Sequence, residues 1–140
     1  MTSLDKPAIR EAYIDIRNDN SDVSWAILKY EGNKIVLDST GSSYEEFQSK
    51  LTDDTRAFGY VRITTGDEMS KRAKFALITW AGPDVSTLKK AKMGPDKSRV
   101  KEVIQNFAVE LHITEQEELE QDFIKSALMK AGGANYGTGQ

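Results

Sequence analysis

The sequence contains no cysteine and only one histidine among its 140 residues. Without cysteine, the chain has no disulfide framework, no thiolate metal site and no cysteine nucleophile. No apolar run approaches the ~20 residues of a membrane-spanning helix, and residues 1–7 lack the apolar stretch of a secretory signal. These absences favour a protein of the reducing cytoplasm without a membrane span.

The motifs of common enzyme classes are missing as well. No phosphate-binding glycine loop, dinucleotide fingerprint, HExxH zinc motif or calcium-binding EF-hand loop is present. His112, the single histidine, lies on the polar side of a predicted strand, where a surface or hydrogen-bonded core histidine is more common than a catalytic one. The paired carboxylates are adjacent in sequence and do not converge as a general acid and base must. The sequence therefore predicts a non-enzyme without cofactor or metal ion.

The composition is that of one folded domain. Hydrophobic residues make up 39% and charged residues 29% of the chain, and a chain of this length buries ~65 to 70% of its unfolded surface in a single core. We expect that domain to cover residues 1–131. Residues 132–140 are rich in glycine and lack the apolar burial that offsets the entropy of ordering, so they are predicted to form a flexible tail.

The first half of the chain predicts a helix, a hairpin, a second helix and a strand. The first helix is indicated by apolar residues at i, i+3, i+4 and i+7, with Pro7 in its first turn. Residues 23–30 and 35–37 form the two strands of the hairpin. Ser42 and Ser43, each followed three residues later by Glu, predict a capping box for the second helix. A strand is expected over residues 57–65.

The second half predicts an apolar strand over residues 75–80 and a helix that starts at Val85. Gly94-Pro95 is expected to interrupt this helix, because proline inside a helix costs ~3 kcal/mol or more, and Asp96 is expected to restart it. A short strand follows over residues 107–113. Thr114 with Glu117 is predicted to cap a last helix, which Gly132-Gly133 would end. Its core positions are expected to be Leu119, Phe123, Ala127 and Leu128.

This order of elements predicts an α+β fold with three layers. An almost wholly apolar strand must be covered on both faces, so helices are expected on both sides of the sheet. We therefore predict a central mixed, mostly antiparallel sheet of five strands between helices.

Charge is distributed unevenly along the chain. Residues 71–101 carry nine basic and two acidic side chains, whereas residues 102–122 carry seven carboxylates and no lysine or arginine. If these charges served only to keep the surface soluble, basic and acidic residues would alternate along the chain instead of collecting in separate segments. We therefore expect an acidic partner for the basic segment. Nucleic acid is the weaker choice, because the pI is about 5.3 and no aromatic residues alternate with the basic ones for base stacking. Binding to anionic lipid would be nonspecific.

Four stretches of the chain carry a resemblance to a known family, namely residues 58–80 (FGYVRITTGDEMSKRAKFALITW), 100–108 (VKEVIQNFA), 118–126 (ELEQDFIKS) and 130–136 (KAGGANY). They resemble the coactosin-like family, which has the actin-depolymerising-factor homology (ADF-H) fold also found in cofilin. The resemblance covers nearly the whole chain and implies binding to actin filaments (F-actin) in the cytoplasmic actin cytoskeleton. It implies Lys74 foremost as a filament contact, with Lys71 and Arg72 in the same loop. In the wider fold, the region after the apolar strand also touches actin, which implies Lys89, Lys90, Lys92 and Lys97.

The resemblance also implies what the protein does to filaments. Coactosin-like proteins associate with filaments without strong depolymerising activity, and they oppose capping or compete with cofilin. The predicted interruption at Gly94-Pro95 agrees with weak severing, because the long actin-binding helix of cofilins is uninterrupted. An alternative function is a scaffold for a cytosolic enzyme such as 5-lipoxygenase, which some relatives bind, and it would place the determinant at Lys130. The charged surface and the absence of heptads favour a monomer.

Overall fold

A computed structural model describes residues 2–66 and 71–137 of the chain. These residues form one six-stranded sheet with helices on both faces. The strands are β1 (Ser3–Leu4), β2 (Trp25–Glu31), β3 (Lys34–Gly41), β4 (Arg56–Thr65), β5 (Arg72–Ala81) and β6 (Val109–Ile113). The helices are α1 (Lys6–Arg17), α2 (Tyr44–Lys50), α3 (Thr87–Val100) and α4 (Gln121–Gly137), and a short 3-10 helix covers Gln116–Leu119.

The sheet is mixed and mostly antiparallel, as predicted. Its strand order is β1-β3-β2-β4-β5-β6. The four central strands are antiparallel, whereas β1 is parallel to β3 and β6 is parallel to β5. The prediction of five strands missed β1, because a two-residue strand is too short to show the period-two pattern from which strands are predicted.

Successive side chains of β5 point to opposite faces of the sheet and pack in two separate cores. Leu77 packs in a core with α1 and α3, whereas Ile78 packs in a core with α2 and α4. We call these two sides the α1/α3 face and the α2/α4 face. Both tryptophans lie on the α2/α4 face and donate their indole N–H groups to backbone oxygens, Trp25 to Ser43 at 2.8 Å and Trp80 to Thr52 at 2.9 Å. The predicted three-layer architecture is confirmed.

The starts of α1 and α2 agree with the sequence, but the last helix does not. Pro7 lies in the first turn of α1, and the Ser43 hydroxyl accepts a hydrogen bond from the Glu46 N–H at the start of α2. Residues 116–119 form a 3-10 helix instead of the start of the last helix, and α4 begins at Gln121. Helix α4 also continues past Gly132-Gly133 to Gly137, so the predicted end of the last helix is wrong.

Phe123 was predicted to be a core residue, and this prediction is wrong. Its side chain is 43% exposed, whereas Ile124 and Leu128 are fully buried four residues apart on α4. Ile124 therefore takes the place of Phe123 in the stripe that faces the sheet, whereas the predicted Leu119 and Leu128 are buried. The prediction of a flexible tail over residues 132–140 lies partly outside the described residues and stays a prediction.

Helix α3 runs without interruption through Pro95, contrary to the predicted break. Its 14 residues extend from Thr87 to Val100 with Pro95 inside. Proline removes one backbone N–H, whose partner would be the carbonyl of Ala91. Because Ala91 and Pro95 are both exposed, water can hydrate that carbonyl. On the opposite side of the helix, buried Asp96 accepts a hydrogen bond of 2.7 Å from the Tyr30 hydroxyl, which ties α3 to the sheet.

Candidate functional site

Three of the predicted site residues lie together at the start of β5. Arg72 is paired with Thr65 and Lys74 with Ile63 in the antiparallel ladder, so the strand fixes their spacing. Lys71 and Arg72 are exposed, whereas Lys74 is partly buried. Lys74 alternates with Ala76 and Ile78, which belong to the core with α2 and α4. The Lys74 side chain is therefore directed to the α2/α4 face.

Helix α4 holds the Lys74 side chain. The Nζ atom of Lys74 donates a long hydrogen bond of 3.5 Å to the carbonyl oxygen of Leu128, whose own side chain is fully buried. Lys130, the residue predicted for an enzyme partner, is exposed two residues further along α4. The fold therefore brings Lys74 to a backbone carbonyl two residues before Lys130, although Lys74 and Lys130 are more than fifty residues apart in sequence.

The basic residues of α3 do not form one surface. Lys89, Lys92 and Arg99 share one side of the helix by their spacing, and Lys90, Lys97 and Lys101 share another. Nζ of Lys97 lies 2.5 Å and Nζ of Lys101 2.9 Å from the carboxylate of Glu110 on β6. Lys89 and Lys92 are exposed, whereas Lys90 and Lys97 are partly buried. Of the four predicted contacts on α3, Lys97 is thus already engaged within the protein.

The fold places the two basic segments on opposite faces of the sheet. Lys74 points to the α2/α4 face and lies at the start of β5. Helix α3 packs on the α1/α3 face, and its first turn lies near the other end of β5, where Arg56 is paired with Ala81 and donates to the Lys89 carbonyl at 3.2 Å. The basic residues of β5 and those of α3 therefore form two separate surfaces.

Arg17, at the end of α1, was missed by the sequence analysis and lies on the α1/α3 face at the start of β5. It lines an open cavity of about 370 Å³ together with residues 73–75, although the Lys74 side chain is directed to the opposite face of the sheet. The Arg17 guanidinium lies 4.6 Å from the centroid of the Phe75 ring and donates to the Tyr60 hydroxyl at 3.2 Å. Burial raises the pKa of Tyr60 to about 12. A basic residue in the last turn of a helix is the one sequence feature that marks Arg17.

The single histidine of the chain lies at an exposed position of the sheet. His112 is exposed on β6 and is paired in the ladder with Thr79. Within residues 2–66 and 71–137, no group of three or more histidine or carboxylate side chains is placed to hold a metal ion. Among the same residues, no helix combines the length and the apolar character needed to cross a membrane.

Comparison with known proteins identifies the family of the chain. The model of the cofilin/tropomyosin-type actin-binding proteins matches residues 1–129. Coactosin-like protein of Rattus norvegicus is 57% identical over 135 residues, which cover 96% of this chain and 95% of the relative. The chain belongs to this actin-binding family, among its coactosin-like proteins.

Solved structures agree with this family at the level of the fold. Human coactosin-like protein superimposes with a TM-score of 0.90 at 55% identity, over 93% of this chain and 99% of the human one. Mouse coactosin, described as an actin filament binding protein, superimposes with a TM-score of 0.80 at 55% identity, over 99% and 98% of the two chains. The ADF-H fold predicted from the resemblance is confirmed, and membership of this family implies association with the cytoskeleton.

Proposed function

We propose that the protein binds to the sides of actin filaments through the basic cluster of Lys71, Arg72 and Lys74. The observation that carries this proposal is the position of the cluster at the exposed start of β5 on a fold shared with mouse coactosin, an actin filament binding protein. In the described part of the chain, none of the three side chains forms an ion pair. Their charge is therefore free for acidic groups on a filament.

Lys74 is the residue whose loss should matter most within this cluster. It is partly buried and its Nζ lies 3.5 Å from the Leu128 carbonyl oxygen, so its ammonium group is more restricted than that of an exposed lysine. A restricted donor loses less conformational entropy on binding than a free lysine. A charged contact that becomes buried costs ~2 to 5 kcal/mol when truncated, whereas an exposed ion pair is worth ~0.2 to 1 kcal/mol.

Co-sedimentation with polymerised actin tests this proposal. Saturable pelleting of the intact protein is expected, and Lys74→Ala should weaken it by about tenfold or more. Lys50→Ala is the matched control, because Lys50 lies on α2 and covers the same face of the sheet away from the cluster. Circular dichroism checks that each variant is folded. If the intact protein does not pellet at low salt, the filament proposal is wrong.

We also propose that binding neither severs nor strongly depolymerises filaments, and that it opposes capping or competes with cofilin. This part depends on the resemblance to coactosin-like proteins alone, because α3 is continuous and the expected break at Pro95 no longer supports it. Fluorescence microscopy of immobilised filaments tests it directly. Filament lengths should stay constant over concentrations that saturate the filament, and capping protein should stop barbed-end growth less effectively when the protein is present.

Helix α3 is proposed as a secondary filament contact through Lys89, Lys90 and Lys92, with a smaller role for Lys97. The ion pair with Glu110 already neutralises much of the Lys97 charge. In the co-sedimentation assay, Lys92→Ala should therefore weaken binding more than Lys97→Ala does. An equal effect of the two variants would contradict this order.

The alternative function is a scaffold for a cytosolic enzyme such as 5-lipoxygenase, with Lys130 as the determinant. Its support is the exposed position of Lys130 on α4. A truncation after Ala127 is a poor test, because it removes the fully buried Leu128 and would damage the core. Lys130→Ala is the sharper variant. Loss of enzyme capture with unchanged actin pelleting would favour the scaffold, and loss of neither would exclude Lys130.

The proposed location is the cytoplasm, on the actin cytoskeleton, and the proposed state in solution is a monomer. Fluorescence imaging of the tagged chain should show overlap with filamentous actin, and Lys74→Ala should reduce that overlap. Sedimentation velocity should give a single species near the 15.6 kDa of the chain. A concentration-dependent dimer would contradict the monomer.

A further inference from the structure

Strand β3 has an outer edge that β1 covers only in part. On its inner side β3 pairs with β2 along its length, whereas β1 pairs with Lys34 and Ile35 alone. The contact with the N-terminal segment ends where the Asp5 N–H donates to the Ile35 carbonyl at 2.9 Å. Within residues 2–66 and 71–137, no other strand pairs with this side of β3. Val36–Gly41 therefore forms an open edge ~20 Å long with backbone donors and acceptors that lack a strand partner.

A cavity of about 320 Å³ lies between this open edge and α1. Leu37 and Thr40 line it from β3. Four residues spaced i, i+3, i+4 and i+7 on one side of α1 line it from the helix, namely Ala8, Glu11, Ala12 and Asp15. The lining residues span ~10 Å of α1 and ~10 Å of β3, so the two elements border the cavity over equal lengths.

The cavity has an apolar floor and an acidic rim. Ala12 is buried, and Leu37 is partly buried against the core of the α1/α3 face. Glu11 is exposed and Asp15 is partly exposed. Neither carboxylate forms an ion pair in the described part of the chain, and no lysine or arginine is among the described residues that line the cavity. Negative charge therefore lies directly beside the open edge of β3.

We propose that an extended basic segment of a partner protein binds at this edge as an additional strand. Its backbone pairs with β3, as in other complexes in which a peptide extends a sheet. Glu11 and Asp15 are four residues apart on a helix, which corresponds to ~6 Å. Alternate residues of a strand point to the same face and are ~6.8 Å apart. A segment with lysine or arginine at every second position therefore places two cations opposite the two carboxylates.

Charge and strand geometry disfavour a second copy of this chain as the occupant. Two copies related by a twofold axis present the same patch to each other, so Glu11 and Asp15 would face carboxylates of the same kind. Strand β3 also has an extra residue, Asp38, that has no partner on β2. Such a bulge bends the edge and discourages pairing between two rigid sheets, whereas a short flexible peptide can follow the bend.

This inference goes beyond the proposed filament function. Strands β2 and β4 separate β3 from β5, and the rim of this cavity is acidic, whereas the cluster proposed to bind filaments is basic. Peptide binding is measured without actin, so either proposal can fail while the other stands.

The test is titration of the full chain with the peptide acetyl-TKVKVT-amide at low salt, followed by amide chemical shifts. Saturable shifts are expected at Leu37 and Thr40. Glu11→Lys should weaken binding by about fivefold or more, because it removes one attraction and adds a repulsion. Glu45→Lys is the matched control, because it makes the same charge change at an exposed position of α2, on the opposite face of the sheet. The control should change the affinity by less than about twofold.

Two further peptides separate strand pairing from charge attraction. A peptide methylated at its four central backbone nitrogens keeps the charge but cannot donate to β3, so it should lose saturable binding. The peptide acetyl-TKKVVT-amide has the same composition, but its adjacent lysines point to opposite faces of a strand. Its affinity should be lower by about threefold, because only one lysine can then meet the acidic rim.

Equal binding of the methylated and unmethylated peptides would overturn the proposal, because charge alone would then explain binding. Equal weakening by Glu11→Lys and Glu45→Lys would overturn it for the same reason. Absence of saturable binding would also overturn it, as would shifts confined to the acidic residues 115–122. Concentration-dependent shifts at Leu37 and Thr40 without peptide would assign the edge to self-association and reject the peptide.

Discussion

Glu110 on β6 reduces the positive charge that the basic segment around α3 presents to a partner. Its carboxylate accepts hydrogen bonds from Lys97 and Lys101, and these bonds hold the pKa of Glu110 below its usual range. The two lysines therefore stabilise the junction of α3 with β6 and contribute less to the charge presented to a partner. Lys92, which lies earlier in α3, forms no such ion pair within the described residues.

We predict that Glu110→Gln destabilises the protein at neutral pH and not in acid. A lowered pKa in the folded state means that the stabilisation is present above the unfolded pKa of ~4.3 and is lost as the pH falls through the folded value. Urea unfolding at pH 7 should show a loss of ~0.5 to 1 kcal/mol. The difference between the two proteins should be smaller at pH 3 than at pH 7. A difference that is the same at both pH values would contradict an ionic origin.

At the scale of elements, the continuity of α3 depends on contacts on its buried side. Met93, Asp96 and Val100 form a buried stripe that spans the site of Gly94 and Pro95. The hydrogen bond from Tyr30 to Asp96 lies within this stripe, and burial together with the Asp96 carboxylate raises the pKa of the Tyr30 phenol. The packing of the stripe against the sheet holds the helix together where its sequence favours a break.

We predict that Tyr30→Phe loosens α3, because it leaves the buried Asp96 carboxylate without its donor. An unsatisfied buried polar group costs ~1 to 3 kcal/mol, and more when it is charged. Thermal unfolding should show this loss. Hydrogen exchange should quicken in α3 and stay unchanged in α1, which serves as the internal control. Uniform quickening across the molecule would show that the bond has no special role in α3.

The opposite change, Pro95→Ala, should stabilise the protein. Proline is ~3 kcal/mol less favourable than alanine inside a helix, and part of that gain is offset because alanine makes the unfolded chain more flexible. We expect a net gain of ~1 to 2 kcal/mol in urea unfolding. Gly94→Ala is the comparison variant, since an added Cβ there meets no atom within 4 Å, and its gain should be ~0.5 to 1 kcal/mol. A lower free energy of unfolding for Pro95→Ala would show that packing of the proline ring stabilises the native protein.

At the scale of the whole molecule, opposite charges collect at the two ends of the α2/α4 face. The acidic segment around the 3-10 helix is hydrogen-bonded to both ends of α2. At the start of α2 the Tyr44 hydroxyl donates to the Leu119 carbonyl at 2.6 Å, and at its end the Gln116 side-chain amide donates to the Leu51 carbonyl at 2.9 Å. Trp80, at the far end of β5, donates to the Thr52 carbonyl just after the end of α2, so this segment lies at the far end of β5. The basic cluster lies at the start of the same strand. The face is therefore polarised along β5.

This polarity predicts a salt-dependent filament affinity. Raising the salt from 50 to 150 mM shortens the Debye length from ~14 Å to ~8 Å, so exposed charges are screened more strongly. Co-sedimentation should weaken with salt in the intact protein. The double variant Lys71→Glu with Arg72→Glu should bind weakly at both concentrations, with little remaining salt dependence. An affinity of the intact protein that does not change with salt would show that charge is not the source of binding.

Much of the fold could be predicted from local pattern. The first helix, the hairpin and the cap at Ser43 follow from periodicity and short-range hydrogen bonds, which act between residues close in sequence. The cluster of Lys71, Arg72 and Lys74 is also visible in the sequence as part of a basic run. Arg17 was missed because its place over the Phe75 ring depends on the packing of α1 on the sheet, which no local pattern shows.

By itself, the sequence determined the absence of cysteine chemistry, the segregation of charge, the order of most elements and the resemblance to actin-binding relatives. These features depend on residue identity and on neighbours within a few positions. Only the tertiary structure decided that α3 continues through Pro95, that Phe123 is exposed, and that the basic residues are divided between two faces of the sheet. The physical reason is that each of these outcomes depends on contacts between distant parts of the chain, such as Tyr30 with Asp96 and Lys97 with Glu110.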